Sequence, residues 1–202
     1  VWSLDINNRR QLTTPPVARP SSPDRTIAER ATPQHGVLTR SQLSDLGLTG
    51  QEIDYRVKVR RLHTLHPGVY AIGHVPPSPH SRAMAAVLAC GLDGVLSHES
   101  GGALWGWHRG HHGEIHVTAP TRHRLRGVIV HRSHTLTSAD ITRHFGIPVT
   151  TPARTLLDLA DTLTDRGLTR AVNEARLANQ VSLEELQALI ERSPGRATGR
   201  LK

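Results

Sequence analysis

From residue 24 onward, apolar residues recur in short bursts at helical or alternating spacing, separated by capping residues, glycines and prolines. Asp24 caps a first helix through about Thr32, with Ile27, Ala28 and Ala31 on its inner face. In Arg40–Leu46, Leu43 and Leu46 lie three apart, with Thr39 as N-cap and Gly47 as terminator. Leu48 fills the core and Thr49 caps the next helix, where Ile53 and Val57 share one face. The opposite face holds Gln51, Glu52, Tyr55, Arg56 and Lys58. Leu62 and Leu65 lead into His66-Pro67-Gly68, a turn in which proline fixes one φ and glycine allows the positive one. Val69–Ile72 returns as a strand, with Tyr70 packed inward. Two short helices, a tight turn and a hairpin are the parts of a winged helix-turn-helix, which lays its second helix in a DNA groove and its hairpin on the adjacent backbone.

The pattern changes beyond residue 73. His74–His80 is rich in proline and reads as a stiff linker. A buried helix follows over Ser81–Cys90, then a short strand at Val95–Ser97 and a helix over Glu99–Trp105. Ile115–Thr118 alternates as a half-buried strand, Val128–Arg132 pairs with it, and another strand lies near Ile147–Thr150. Thr151 and Pro152 start a helix with Ala153, Leu156, Leu157 and Ala160 on its core stripe. Leu168, Ala171, Val172 and Ala175 repeat that spacing, and Ser182 with Glu185 forms a capping box before Leu186, Leu189 and Ile190. The expected fold class is α+β: a winged helix-turn-helix over 24–73, then a small mixed-sheet domain covered by helices over 81–195. Residues 1–23, with Pro15, Pro16, Pro20 and Pro23, read as a flexible tail, 196–202 as a second tail, and the opening Val1 as a fragment or an extended reading frame.

The net charge of +8 over 202 residues favours an acidic partner, nucleic acid first and an acidic protein second. The excess is arginine, 23 against 2 lysines, a bias that a high-GC genome also produces. One cysteine excludes an internal disulfide and fits a reducing compartment, and Cys90 sits in an apolar run as a packing residue. No stretch reaches the roughly 18 apolar residues of a membrane span, so the cytoplasm is the expected location.

The candidate chemistry concentrates in the first unit. Arg40, Ser41, Gln51, Tyr55, Arg56 and Lys58 would address the major groove, with Arg60, Arg61 and His63 on the flanking backbone. Arg122, Arg124 and Arg126 lie in Thr121–Arg126, read as the tip of a hairpin. That tip is either simply solvated, a second phosphate contact, or a docking surface for an acidic partner. His108, His111, His112, Glu114 and His116 have neither zinc spacing nor firm structure between Gly110 and Gly113, so no metal and no cofactor is expected. Ser97 and His98 read as caps at a strand-to-helix junction, and Trp105 and Trp107 as core anchors. Asp158 and Asp161 lack a nearby lysine, since Lys58 and Lys202 are the only two, and a nuclease site fails on inventory. The chain is expected not to be an enzyme.

The stretch Leu38–Val57 with Arg61–Gly73 resembles the N-terminal domain of the AbiEi family, antitoxins of type IV toxin–antitoxin systems. The likeness continues through Leu88–Gly91, Ser97–Ser100, Leu104–Gly106 and Gly146–Asp158, covering roughly residues 30 to 195. It implies a regulator that binds operator DNA and represses its own operon, with a second domain opposing a toxin, here a nucleotidyltransferase-like one. In many relatives a very-short-patch-repair-like endonuclease domain follows, beginning where this chain reaches Lys202. Two alternatives stay open: a protein-binding antitoxin with a vestigial winged helix, or the targeting portion of an endonuclease-domain protein. The sequence departs from the family at Arg60, where relatives commonly have a glycine and a left-handed backbone is expected. It departs again at Glu52 and Asp54, acids that would repel phosphate if they faced a groove.

Overall fold

The computed structural model describes residues 23–73, 78–107, 113–193, 196 and 198–201. The tail expected up to residue 23 lies outside the described residues apart from Pro23. His74–Pro77 of the linker and His108, His111 and His112 of the histidine-rich loop also lie outside them.

The N-terminal part contains α1 (Pro23–Ala31), a 3-10 turn (Thr32–Gln34), β1 (Val37–Thr39), α2 (Arg40–Asp45), α3 (Gly50–Lys58), β2 (Leu62–His66) and β3 (Val69–Ile72). Local chemistry fixes the helix starts. The Thr39 hydroxyl accepts from the Gln42 N–H and the Gln42 amide oxygen from the Thr39 N–H, and Thr49 and Glu52 repeat this reciprocal cap on α3. Gly47, at φ +91°, turns the chain between the helices. The strands form an antiparallel sheet in the order β1-β3-β2. Leu38, Leu62 and Tyr70 pack with Ile27, Leu43, Leu48 and Ile53, whereas Val37 and Val69 join a second cluster. Both faces of the sheet are therefore covered, so β1 and β3 show no polar alternation.

The second cluster forms around α4 (Pro79–Ala89), whose Met84, Ala85, Ala86 and Val87 are buried. This helix contacts all three N-terminal strands on one side and β4, β5 and β8 of a second sheet on the other. That sheet consists of β4 (Val95–Leu96), β5 (Ile115–Ala119), β6 (Val128–Arg132), β7 (Ile141–His144) and β8 (Ile147–Thr150), in the order β6-β5-β4-β8-β7. The pairs β5–β6 and β4–β8 are parallel and the others antiparallel.

The parallel pairing corrects one expectation. Arg122, Arg124 and Arg126 do not sit on a hairpin tip, because β6 starts beside Ile115, at the far end of β5. The intervening chain must return along the strand, and Leu125 packs into the α4 cluster while the three arginines are exposed. Helices α5 (His98–Leu104), α6 (Pro152–Ala160), α7 (Asp165–Leu177) and α8 (Leu183–Glu191) complete the fold around Trp107, Leu156, Leu159, Leu168, Ala171 and Leu186. The molecule is a mixed α+β protein with two sheets. Among the described residues no helix is long and apolar enough to cross a membrane.

Candidate nucleic-acid interface

On α3 the spacing that buries Ile53 carries Gln51, Tyr55 and Lys58 to the outer face, and all three are exposed, Tyr55 by 62%. Ser41, on the first turn of α2, is also exposed. Arg40 is engaged within the unit. Its Nη1 donates to Asp54 Oδ1 at 2.9 Å and to the Tyr70 hydroxyl at 3.1 Å, and its Nη2 donates to the Gly50 carbonyl at 3.3 Å. The guanidinium thus ties the start of α2 to α3 and β3. Tyr70 is buried, with its ring in the core and its hydroxyl on this contact.

The same contacts account for both acids on α3. The Arg40 guanidinium holds the Asp54 carboxyl below its usual range. The Thr49 backbone and hydroxyl do the same for Glu52, whose Oε2 they reach at 2.8 Å each. Both stay ionised; Arg40 offsets the charge of Asp54, while Thr49 stabilises the Glu52 carboxylate without neutralising it.

The remaining cations divide into two groups. Arg56, with a side chain 16% exposed, donates from Nη2 to Asp24 Oδ1 at 3.1 Å, and Arg61 donates from Nη1 to Asp24 Oδ2 at 3.4 Å. Lys58 and Arg60 are exposed and make no ion pair among the described residues. Arg60 has φ +60° and closes α3, its N–H bonding the Val57 carbonyl at 3.1 Å while the Arg61 N–H bonds that of Arg56 at 2.9 Å. The left-handed backbone expected there is present. His63 lies half-buried on β2 opposite Ala71.

A second polar cluster lies under α5 and α6. Ser97 is fully buried and does not cap α5 with its side chain, contrary to expectation. Its Oγ accepts from Thr118 Oγ1 at 2.7 Å and lies 3.0 Å from His98 Nδ1, because a positive φ of +49° at His98 turns the ring back toward its neighbour. His98 stacks on His131 at 3.5 Å, and His131 Nε2 lies 3.2 Å from His116 Nδ1. Burial pushes His98 down to about 2 and His131 to about 4. Nearby, Arg154 pairs with Asp158 at 2.9 Å and Asp140 at 3.5 Å, Arg192 with Asp140 at 2.6 Å, and Arg196 with Asp158 at 3.0 Å. Arginines balance these carboxylates, and Ser97 is closed to solvent. No group of histidine, cysteine or acidic side chains among the described residues could hold a metal ion.

These features define an α+β protein in which a small, partly basic helix-and-sheet unit is joined through α4 to a five-stranded mixed sheet. The model of the AbiEi antitoxin C-terminal domain matches residues 93–202, more than half of the chain, and the chain belongs to that family. In fold it is similar to the RV2827C protein from Mycobacterium tuberculosis, at 19% identity and a TM-score of 0.54, covering 86% of this chain and 72% of that one. No curated protein matches it.

Proposed function

We propose that the chain is a DNA-binding transcriptional regulator, the autorepressing antitoxin of a type IV toxin–antitoxin system. In this reading residues 24–73 form a winged helix-turn-helix that binds operator DNA in the cytoplasm. Residues 81–195 oppose a nucleotidyltransferase-like toxin. The observation that carries the reading is the outer face of α3, where Gln51, Tyr55 and Lys58 stand clear beside Arg60 in a chain that carries an AbiEi antitoxin domain. Gln51, Tyr55, Lys58 and Ser41 read base edges. Arg56, Arg60, Arg61 and His63 meet the backbone, and Arg122, Arg124 and Arg126 offer a further phosphate contact. Arg40 positions α3 instead of touching DNA, since its guanidinium is engaged by Asp54, Tyr70 and Gly50.

Gel-shift titration with the DNA upstream of the protein's own gene tests this. The expected result is a sequence-selective shift that Gln51→Ala with Tyr55→Ala converts into an unselective one. Absence of any shift at low salt would refute the reading. Binding of the toxin without DNA would instead favour an antitoxin with a vestigial winged helix.

A further inference from the structure

Arg56 comes from α3 and Arg61 from the approach to β2, yet their guanidiniums converge on the two oxygens of one carboxylate, that of Asp24. Each guanidinium gives one nitrogen to one oxygen, and two arginines converging on one anion is an arrangement that also suits a phosphate. We infer that Arg56 and Arg61 form a phosphodiester-binding pair whose internal occupant is Asp24, and that DNA must displace this carboxylate to engage them. The inference rests on the DNA-binding reading above.

The surroundings suit a reversible occupant. Asp24 lies in the first turn of α1, where helices fray, and the helix is held further along by Ile27 and Ala31, at 3% and 2% exposure. The Asp24 and Arg61 side chains are 59% and 65% exposed and that of Arg56 16%, so water and ions compete freely for the Arg61 pair and reach the Arg56 pair only from the Asp24 side. Release therefore needs movement of one turn and leaves the core of the unit intact. With Asp24 in place, of the four cations between Arg56 and Arg61 only Lys58 and Arg60 are clear of an ion pair among the described residues. Displacing it doubles that number. The nearest other acid on the same helix, Glu29, is occupied by Arg25 at 2.8 Å and does not share the site.

The test measures affinity of the full chain for its operator and for an unrelated duplex, in wild type, Asp24→Asn, Glu29→Gln and the triple variant Asp24→Asn/Arg56→Gln/Arg61→Gln. Both pairs share a carboxylate that is 59% exposed, so removing them should tighten binding roughly 3- to 30-fold. The factor should be the same on both duplexes, because phosphates carry no sequence information. Relative to Arg56→Gln/Arg61→Gln alone, the triple variant should show no gain, and Glu29→Gln should match wild type. No gain in Asp24→Asn would overturn the proposal. A gain that survives loss of both arginines, or that Glu29→Gln reproduces, would overturn it too, since general charge would then suffice. If wild type binds its operator selectively and Asp24→Asn changes nothing, only this inference falls. If no variant binds any duplex, the DNA-binding reading falls with it. Thermal melting of each variant confirms that the fold is retained.

Discussion

Replacing Arg60 by glycine should make the protein more stable while weakening the DNA binding proposed above. Arg60 closes α3 with φ +60°, a backbone state that costs a residue with a Cβ about 1–2 kcal/mol. Glycine removes that cost but gives the unfolded chain more freedom, which offsets about 0.4–1 kcal/mol. The net gain is about 0.5–1 kcal/mol, or a rise in melting temperature of roughly 1–4 °C for a protein of this size. Arg60→Ala is the matched control, since it removes the same guanidinium and keeps the left-handed backbone. On DNA the two variants should behave alike, each losing about 0.9 from the slope of log affinity against log salt. Calorimetric melting and a salt titration on the same preparations separate the two effects. If Arg60→Gly melts at or below Arg60→Ala, the reasoning about backbone strain at this turn is wrong.

Three further outcomes are expected. In the folded protein His98 and His131 are neutral, with values depressed to about 2 and about 4, while the unfolded chain protonates both near 6.5. Stability should therefore fall as pH drops below 6.5, by on the order of 2 kcal/mol at pH 5 from the better buried His98, and denaturant melts at each pH should show a shallower slope in His131→Phe. Arg154→Met leaves the buried Asp140 and Asp158 with one arginine each, Arg192 and Arg196, and should cost about 1.5–3 kcal/mol by urea unfolding, and a loss below about 1 kcal/mol would rule out a tightly held network. Gly146→Ala should destabilise more than Gly68→Ala in the same assay, because both have φ above +70° but only at Gly146 would the new Cβ meet an obstacle, the Pro33 carbonyl at 3.0 Å.

The helices α2 and α3 and the β2–β3 turn were legible because their signals are local: a threonine cap, a glycine stop, apolar residues three or four apart. The left-handed backbone at Arg60 was legible from the glycine that relatives place there. What escaped is what depends on distant partners. Strand β1 is three residues long and buried on both faces, so Val37 and Leu38 give no alternation to read. Strand β7 is an edge whose Ile141 is 37% exposed, and no apolar alternation marks it. Parallel pairing of β5 with β6 could not be distinguished from a hairpin, since a short connection usually makes an antiparallel pair. At the candidate site, the outward residues of α3 followed from the helical period. The engagement of Arg40 by Asp54 and of Arg56 by Asp24 did not, because residues 14 and 32 positions apart carry no spacing rule.

The placement of α4 has a mechanical consequence. Val37 and Val69 belong to the same apolar cluster as Met84 and Val149, so swivelling the three-stranded sheet against the five-stranded one would wet that seam. Exposing even the two valines would cost on the order of 3–5 kcal/mol, which keeps any swivelled arrangement a minor state. The outer face of α3 and the AbiEi antitoxin domain therefore turn together as one body. Whatever grips one end sets the heading of the other.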